Sequence, residues 1–257
     1  MSDTQTAPVA VSRSEGIGWV RLNVPERRNA ISQAMRTALS EAFASLDADD
    51  TIHVAVLTGA GPAFCAGVDL KEGAAAGSAS SSAEPVAAPL ERFGKPLIAA
   101  VNGPAIGGGF ELVLAADIRI ASTAARFALP EVKLGSLPGS GGTQRLTRLV
   151  PPALASKLLF TGDPLDADTA LGCGLVTDVV EPERLEQLAG EIAARIAANA
   201  PLSLRAAKSA LRAALDDSMR EGLAFERELF ETLAATHDRE EGRAAFRERR
   251  PPRFEGR

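Results

Sequence analysis

Two cysteines and two histidines are all that 257 residues contain. Cys65 and Cys173 stand in no CxxC pair and in no Cys/His cluster. That argues against a disulfide framework or a zinc site and fits a reducing, cytoplasmic compartment. His53 and His237 are isolated, so a centre built on a histidine base is poorly supplied. No apolar run reaches the roughly 18 residues that a spanning helix needs. The opening MSDTQTAPVAVSRSEG lacks a basic segment followed by an apolar core, so no secretory signal is expected. A net charge of −5 gives no pull toward nucleic acid or an anionic membrane. What the chain does have is 46% hydrophobic residues against 24% charged, ordinary for a globular protein and enough for a sizeable core.

Strands and helices are expected to alternate through about residue 180, with a wholly helical tail from about 183. VAVSR and GWVRLNV (18–24) read as early strands. IHVAVLTG (52–59), PLIAAVNG (96–103), DIRIAS (117–122), ARFAL (125–129) and GLVTDVV (174–180) read as later ones. Residues 32–48 have apolar positions at helical spacing, and TQRLTRLV follows a Gly-rich turn as a second helix. Residues 73–89 are Ala/Ser-rich and read as a mobile loop. Ser218 with Glu221, and Asp238 with Glu241, have the spacing of capping boxes at helix starts, and Pro251 and Pro252 stop the last helix.

One internal echo stands out. GPAFCAGVDL (61–70) aligns with GPAIGGGFEL (103–112), matching Gly61, Pro62, Ala63, Gly67 and Leu70, and setting Asp69 against Glu111. Each copy follows an apolar strand, so a strand–turn–helix unit is used twice. Glycines let such a turn approach a ligand, and the first N–H groups of a helix have no intrahelical partner. Two such turns from neighbouring repeats could aim two N–H groups at one oxygen that becomes negative during reaction. GPAIGGG has neither the GxGxxG spacing of a dinucleotide fold nor the GK[ST] ending of a phosphate-binding loop.

Glu111 lies among Phe110, Leu112, Val113, Leu114, Ala115 and Ala116, so its helix is expected to be buried. An acid at an exposed helix start would serve the helix dipole alone. A buried carboxylate is costly without partners, and its place beside the glycine turn points to chemistry. Glu131, in ARFALPEVKLG, is a second candidate because the turn LPGSGG follows it. PGSGG around Ser140 also looks like a serine-protease nucleophile loop, but neither histidine is placed to serve it. Cys65 as a nucleophile has the same deficiency.

Together GAGPAFCAGVDLKE, KPLIAAVNGPAIGGGFELVLAADIRIAS, FALPEVKLGSLPGSGGTQRLTRLV and GLVTDVV resemble the crotonase superfamily of enoyl-CoA hydratases and isomerases, in order and over nearly the whole chain from PERRNAIS (25–32) onward. The resemblance implies an α/β fold, a spiral of ββα repeats over residues 1–196. A C-terminal helical segment, 197–257, would form trimers or dimers of trimers and cover the active site. It implies an oxyanion hole at the backbone N–H groups of Val68 and Gly108, gripping the thioester carbonyl of an acyl-CoA substrate. Glu131 is then the principal proton donor to Cα, and Glu111 orients and activates water. Arg28, Ala66, Asp69, Leu70 and Lys71 would line coenzyme A, with Phe230 and Arg249 reaching it from a neighbouring subunit. No metal or redox cofactor is implied, coenzyme A being part of the substrate.

Superfamily members that run other reactions often keep the oxyanion hole and lose one or both acids, whereas this chain has both. The expected activity is hydration of a short- or medium-chain 2-enoyl-CoA. Enoyl-CoA isomerisation, dehydration of a hydroxyacyl-CoA such as carnitinyl-CoA, and non-catalytic binding of acyl-CoA or RNA are the alternatives. Phe110, where a small residue is common, and the 73–89 segment bear on the acyl pocket.

Overall fold

The structure, a computed structural model, describes residues 7–69 and 84–257. A six-stranded sheet is built from β1 (Val9–Ser14), β2 (Ile17–Leu22), β3 (Val54–Gly59), β4 (Leu97–Val101), β6 (Ile118–Ser122) and β9 (Asp178–Val180), in that spatial order. Only β1 and β2 are antiparallel, joined by a turn at the left-handed Glu15 and Gly16. The other pairings are parallel. A smaller sheet sets β5 (Ala105–Ile106) beside β7 (Arg126–Ala128) and β7 beside β8 (Leu165–Asp166).

The near-continuous apolar runs of β3 and β4 follow from burial on both faces. Alternate residues face opposite cores. Ala55, Leu57, Leu97, Ala99 and Val101 join the main core with α1 (Gln33–Ala48). Val54, Val56, Ile98 and Ala100 instead meet Leu185, Ala189 and Ala193 of α7 (Pro182–Ala197). Leu185, Ala189 and Ala193 recur at four-residue spacing, so they share one helix face. Ser32 caps α1, its hydroxyl accepting from Met35 N–H at 3.2 Å.

Between β3 and α7 the chain forms α2 (Ala88–Arg92), α3 (Gly108–Leu114), α4 (Gly142–Leu149), α5 (Pro152–Thr161) and α6 (Ala167–Gly172). Helices α5 and α6 and the two-residue strands were not expected, since each is short and leans on tertiary contacts. The expected strand at 174–180 shrinks to Asp178–Val180 because Gly174 is left-handed and ends α6. Most of the expected Ala/Ser-rich loop lies outside the described residues.

The tail is helical as expected: α8 (Pro201–Asp216), α9 (Met219–Ala234) and α10 (His237–Glu248). Ser218 and Glu221 do form a capping box. Asp238 and Glu241 do not. Thr236 caps α10 instead, and the buried Asp238 carboxylate accepts from Glu255 N–H at 2.7 Å and Gly256 N–H at 2.8 Å. Glu241 accepts from Arg250 and from Arg253 N–H. Asp238 and Glu241 thus fasten the chain end rather than starting the helix.

Helix α8 docks by cations on carbonyls. Lys208 Nζ, buried, donates to Lys95 O at 2.6 Å and pairs with Asp117 at 2.7 Å, and Arg205 donates to Asp47 O. Burial pushes the Lys208 ammonium down to about 8. Among the described residues no helix is long and apolar enough to cross a membrane.

Candidate active site

The two echoed turns lie side by side. Cys65 N–H donates to Pro104 O at 3.1 Å, and Ile106 N–H donates to Cys65 O at 2.9 Å. The sequence echo matches Cys65 with Gly107, yet the ladder sets Cys65 opposite Ala105, a slip of two residues. Beyond that bridge the turns stay close: a Cβ on Gly108 would stand 3.5 Å from Val68 Cγ2. Val68 is also bridged to Ile31 through its neighbours: Gly67 O accepts from Ile31 N–H at 2.8 Å, and Asp69 N–H donates to Ile31 O at 3.1 Å. In such a parallel bridge the N–H of Val68 itself points away from Ile31. Among the described residues neither the Val68 nor the Gly108 N–H has a hydrogen-bond acceptor.

Glycine makes the approach possible. A Cβ on Gly67 would stand 2.8 Å from Ile106 O, and only 3.7 Å from the Gly108 nitrogen. A Cβ on Gly109 would come within 2.7 Å of Cys65 Cβ. The two turns interlock without room for a methyl group. Burial beneath this junction pushes the Cys65 thiol up to about 12, so Cys65 is a packed thiol and not a nucleophile.

Glu111 sits one turn into α3, whose residues Gly108–Leu114 are all buried. Its Oε1 accepts from Ser140 N–H at 2.6 Å and Gly142 N–H at 2.9 Å. The Gly-rich turn that resembled a nucleophile loop is therefore a carboxylate holder. Ser140 contributes its backbone to Glu111, while its hydroxyl accepts from Val86 N–H at 2.9 Å. Arg145 donates to Ser140 O at 2.8 Å and is itself held by the Glu91 carboxylate.

Glu131 lies in a 3₁₀ turn (Pro130–Leu134) directly after β7. Gly107 N–H donates to Ala128 O, which brings that strand end against the second turn. Glu131 Oε1 sits 2.9 Å from where a Cβ on Gly107 would stand. Its Oε2 is buried without a hydrogen-bond partner. Burial pushes the Glu131 carboxyl above the usual carboxylate range, and the Glu111 charge adds to the shift. A half-buried acid with one buried, unpartnered oxygen beside a second acid is an arrangement suited to proton transfer.

The remaining expected residues divide. Arg28 is exposed and left-handed, and its carbonyl accepts from Ala66 N–H at 2.9 Å, so Arg28 and Ala66 adjoin. Asp69, nearly buried, pairs with Arg27 at 2.7 Å. Leu70 and Lys71 lie outside the described residues. Phe230 is on α9 between the guanidinium groups of Arg227 and Arg239, and Arg249 follows α10. Among the described residues neither makes a hydrogen bond or ion pair to the residues around the two glutamates. Phe230 instead borders a cavity of about 550 Å³ among the C-terminal helices.

Asn29 was not anticipated. Fully buried, its side chain accepts from Val24 N–H and donates to Ala60, Ala63 and Phe64 carbonyls at 2.8–3.1 Å. It shapes the first turn, and its place in PERRNAIS is its only sequence signal.

The enoyl-CoA hydratase/isomerase family model matches residues 12–257. The chain belongs to that family. It is 44% identical to the (E)-benzylidenesuccinyl-CoA hydratase of Thauera aromatica, covering 97% of this chain and 99% of that relative. It is also 44% identical to the 2,3-dehydroadipyl-CoA hydratase of Escherichia coli, over 96% and 98%. An enoyl-CoA hydratase structure from Mycobacterium marinum superposes with a TM-score of 0.93 at 37% identity, over 98% of this chain and all of that one. The fold is the crotonase α/β fold that the resemblance implied, and the protein is an enzyme of this family.

Proposed function

We propose that the protein hydrates 2-enoyl-CoA thioesters, adding water across the 2,3 double bond to give 3-hydroxyacyl-CoA. One juxtaposition carries the reading: Glu131 lies against Gly107 and Glu111 sits one turn further along the same segment, beside the turns whose Val68 and Gly108 N–H groups have no acceptor among the described residues. In this reading the thioester oxygen lies between the two N–H groups. As water oxygen bonds to Cβ, the double-bond electrons move toward the thioester and the oxygen takes up charge as an enolate. One backbone donor of this kind is worth about 3–4 kcal/mol in the transition state. Glu111, fixed by its two N–H bonds, holds and deprotonates the water. Glu131, whose burial favours its protonated form, delivers a proton to Cα. The chemistry calls for no metal or redox cofactor.

The acyl group is short to medium in length. The two relatives at 44% identity are named for benzylidenesuccinyl and dehydroadipyl thioesters. Coenzyme A lies along the Arg28–Ala66–Asp69 edge. The protein assembles as a trimer or a dimer of trimers through residues 197–257, which brings Phe230 and Arg249 to a neighbour's coenzyme A. Leu211, Leu215, Met219 and Leu223, apolar and exposed on α8 and α9, support this.

The test is loss of enoyl-thioester absorbance with crotonyl-CoA and longer homologues. Glu111→Gln and Glu131→Gln should each lower kcat by about 10²–10⁴-fold while coenzyme A binding persists. Activity indifferent to both substitutions would sink the proposal.

A further inference from the structure

A half-buried guanidinium with no carboxylate in bonding contact among the described residues stands next to this site. Arg36 lies in the first turns of α1 and is close enough to Glu111 for that charge to favour its protonated form, against the desolvation that opposes it. Among the described residues it has no carboxylate partner, only a 3.3 Å contact from NH1 to Glu84 O. The Glu84 carboxylate is held by Arg92 instead. Charged groups are seldom withdrawn from water unless paired, and the planar fork of arginine matches a carboxylate with two parallel bonds.

Arg36 borders a cavity of about 330 Å³. Gln33 and Thr37 of α1 flank it, and Glu84, Pro85 and Val86 form the opposite wall, with the Glu41 carboxylate further along α1. Val86 also connects the cavity to the reaction centre. Its Cγ1 lies 3.5 Å from where a Cβ on Gly108 would stand, and its N–H bonds to Ser140, whose own N–H holds Glu111. An arginine meant for coenzyme A phosphates would stand on the Arg28 side of the thioester. Arg36 instead shares its cavity with Val86, which reaches the Gly108 turn.

Resting on the hydratase reading above, we propose that Arg36 receives a carboxylate at the far end of the acyl group, so that the preferred substrates are 2-enoyl-CoA half-thioesters of dicarboxylic acids. Arg36 then sets specificity, and the apolar wall at Val86 carries the carbons between.

The test compares hex-2-enoyl-CoA with its analogue in which a carboxylate replaces the terminal methyl group. The wild-type enzyme should favour the carboxylate by about tenfold or more in kcat/KM, and Arg36→Leu should shift that ratio by about 10- to 100-fold, chiefly through KM. Arg36→Lys should restore part of the preference and keeps the test open if the leucine variant folds poorly. Calorimetric binding of the two hydrated products should show the same ordering without turnover. A wild-type enzyme that prefers the methyl-ended substrate overturns the proposal. Equal losses on both substrates in Arg36→Leu also overturn it, and assign Arg36 to the charge of Glu111. Hydration of neither substrate by the wild type would instead defeat the hydratase reading itself.

Discussion

Glu111 and Glu131 are the same functional group in unlike settings. Glu111 is nearly fully buried, yet two N–H groups hold one of its oxygens. Glu131 is less buried, yet one of its oxygens has no partner. Burial raises the Glu131 carboxyl, so the folded state holds this proton more tightly than the unfolded chain does. The associated stabilisation is complete below the ordinary carboxylate range and is lost as pH rises through the raised value. Once ionised, Glu131 is therefore a burden on the fold. Glu131→Gln should unfold at the same or a slightly higher temperature than wild type at pH 7, with the difference vanishing under acid conditions, even as activity falls. Calorimetric scans across that range check this, and a markedly lower Tm at pH 7 would mean that the folded state stabilises the carboxylate.

The working parts at the next scale are turns, not long helices or strands. Residues 28–31, 65–68, 105–108 and the end of β7 run side by side, each bonded to the next. Their spacing depends on glycine where backbones nearly touch. Gly109→Ala would force its methyl against Cys65 and push the helix start away. We expect a loss of about 1–3 kcal/mol in stability and a fall in kcat, because the Gly108 N–H moves with it. Gly222, inside α9 with open space around it, is the control. There, alanine should be neutral or stabilise by about 0.5–1 kcal/mol. Full activity in a destabilised Gly109→Ala would remove the Gly108 N–H from the mechanism.

For the molecule as a whole, the C-terminal helices do not look finished. Helix α9 buries no residue and α8 buries only Lys208. Leu211 and Met219 are 70% and 79% exposed, too much apolar surface to leave in water. Light scattering should therefore find three or six times the 26.7 kDa chain mass. Leu215→Asp should shift the protein toward monomer and, because Phe230 and Arg249 would then face no neighbour, raise KM for the CoA substrate. A wild-type monomer at micromolar concentration would refute this assembly.

The sequence by itself determined the alternation of strand and helix, the buried helix carrying Glu111, the repeated turn and the family. Apolar period and glycine placement are local signals, and they survive in the folded chain. It did not determine the details that make the site. Helix α6 is too short for its period to speak, and α5, between Pro151–Pro152 and Gly162, was not read from the sequence. Asp238 has capping-box spacing but fastens the chain end, because the residues it bonds are distant in sequence. Ser140 resembled a nucleophile, yet it offers its N–H to Glu111. The echo alone sets Cys65 against Gly107, whereas the folded chain slips by two residues and bridges it to Ala105. Register between neighbouring turns follows from which N–H and C=O groups meet across them, and only the tertiary structure brings those groups together.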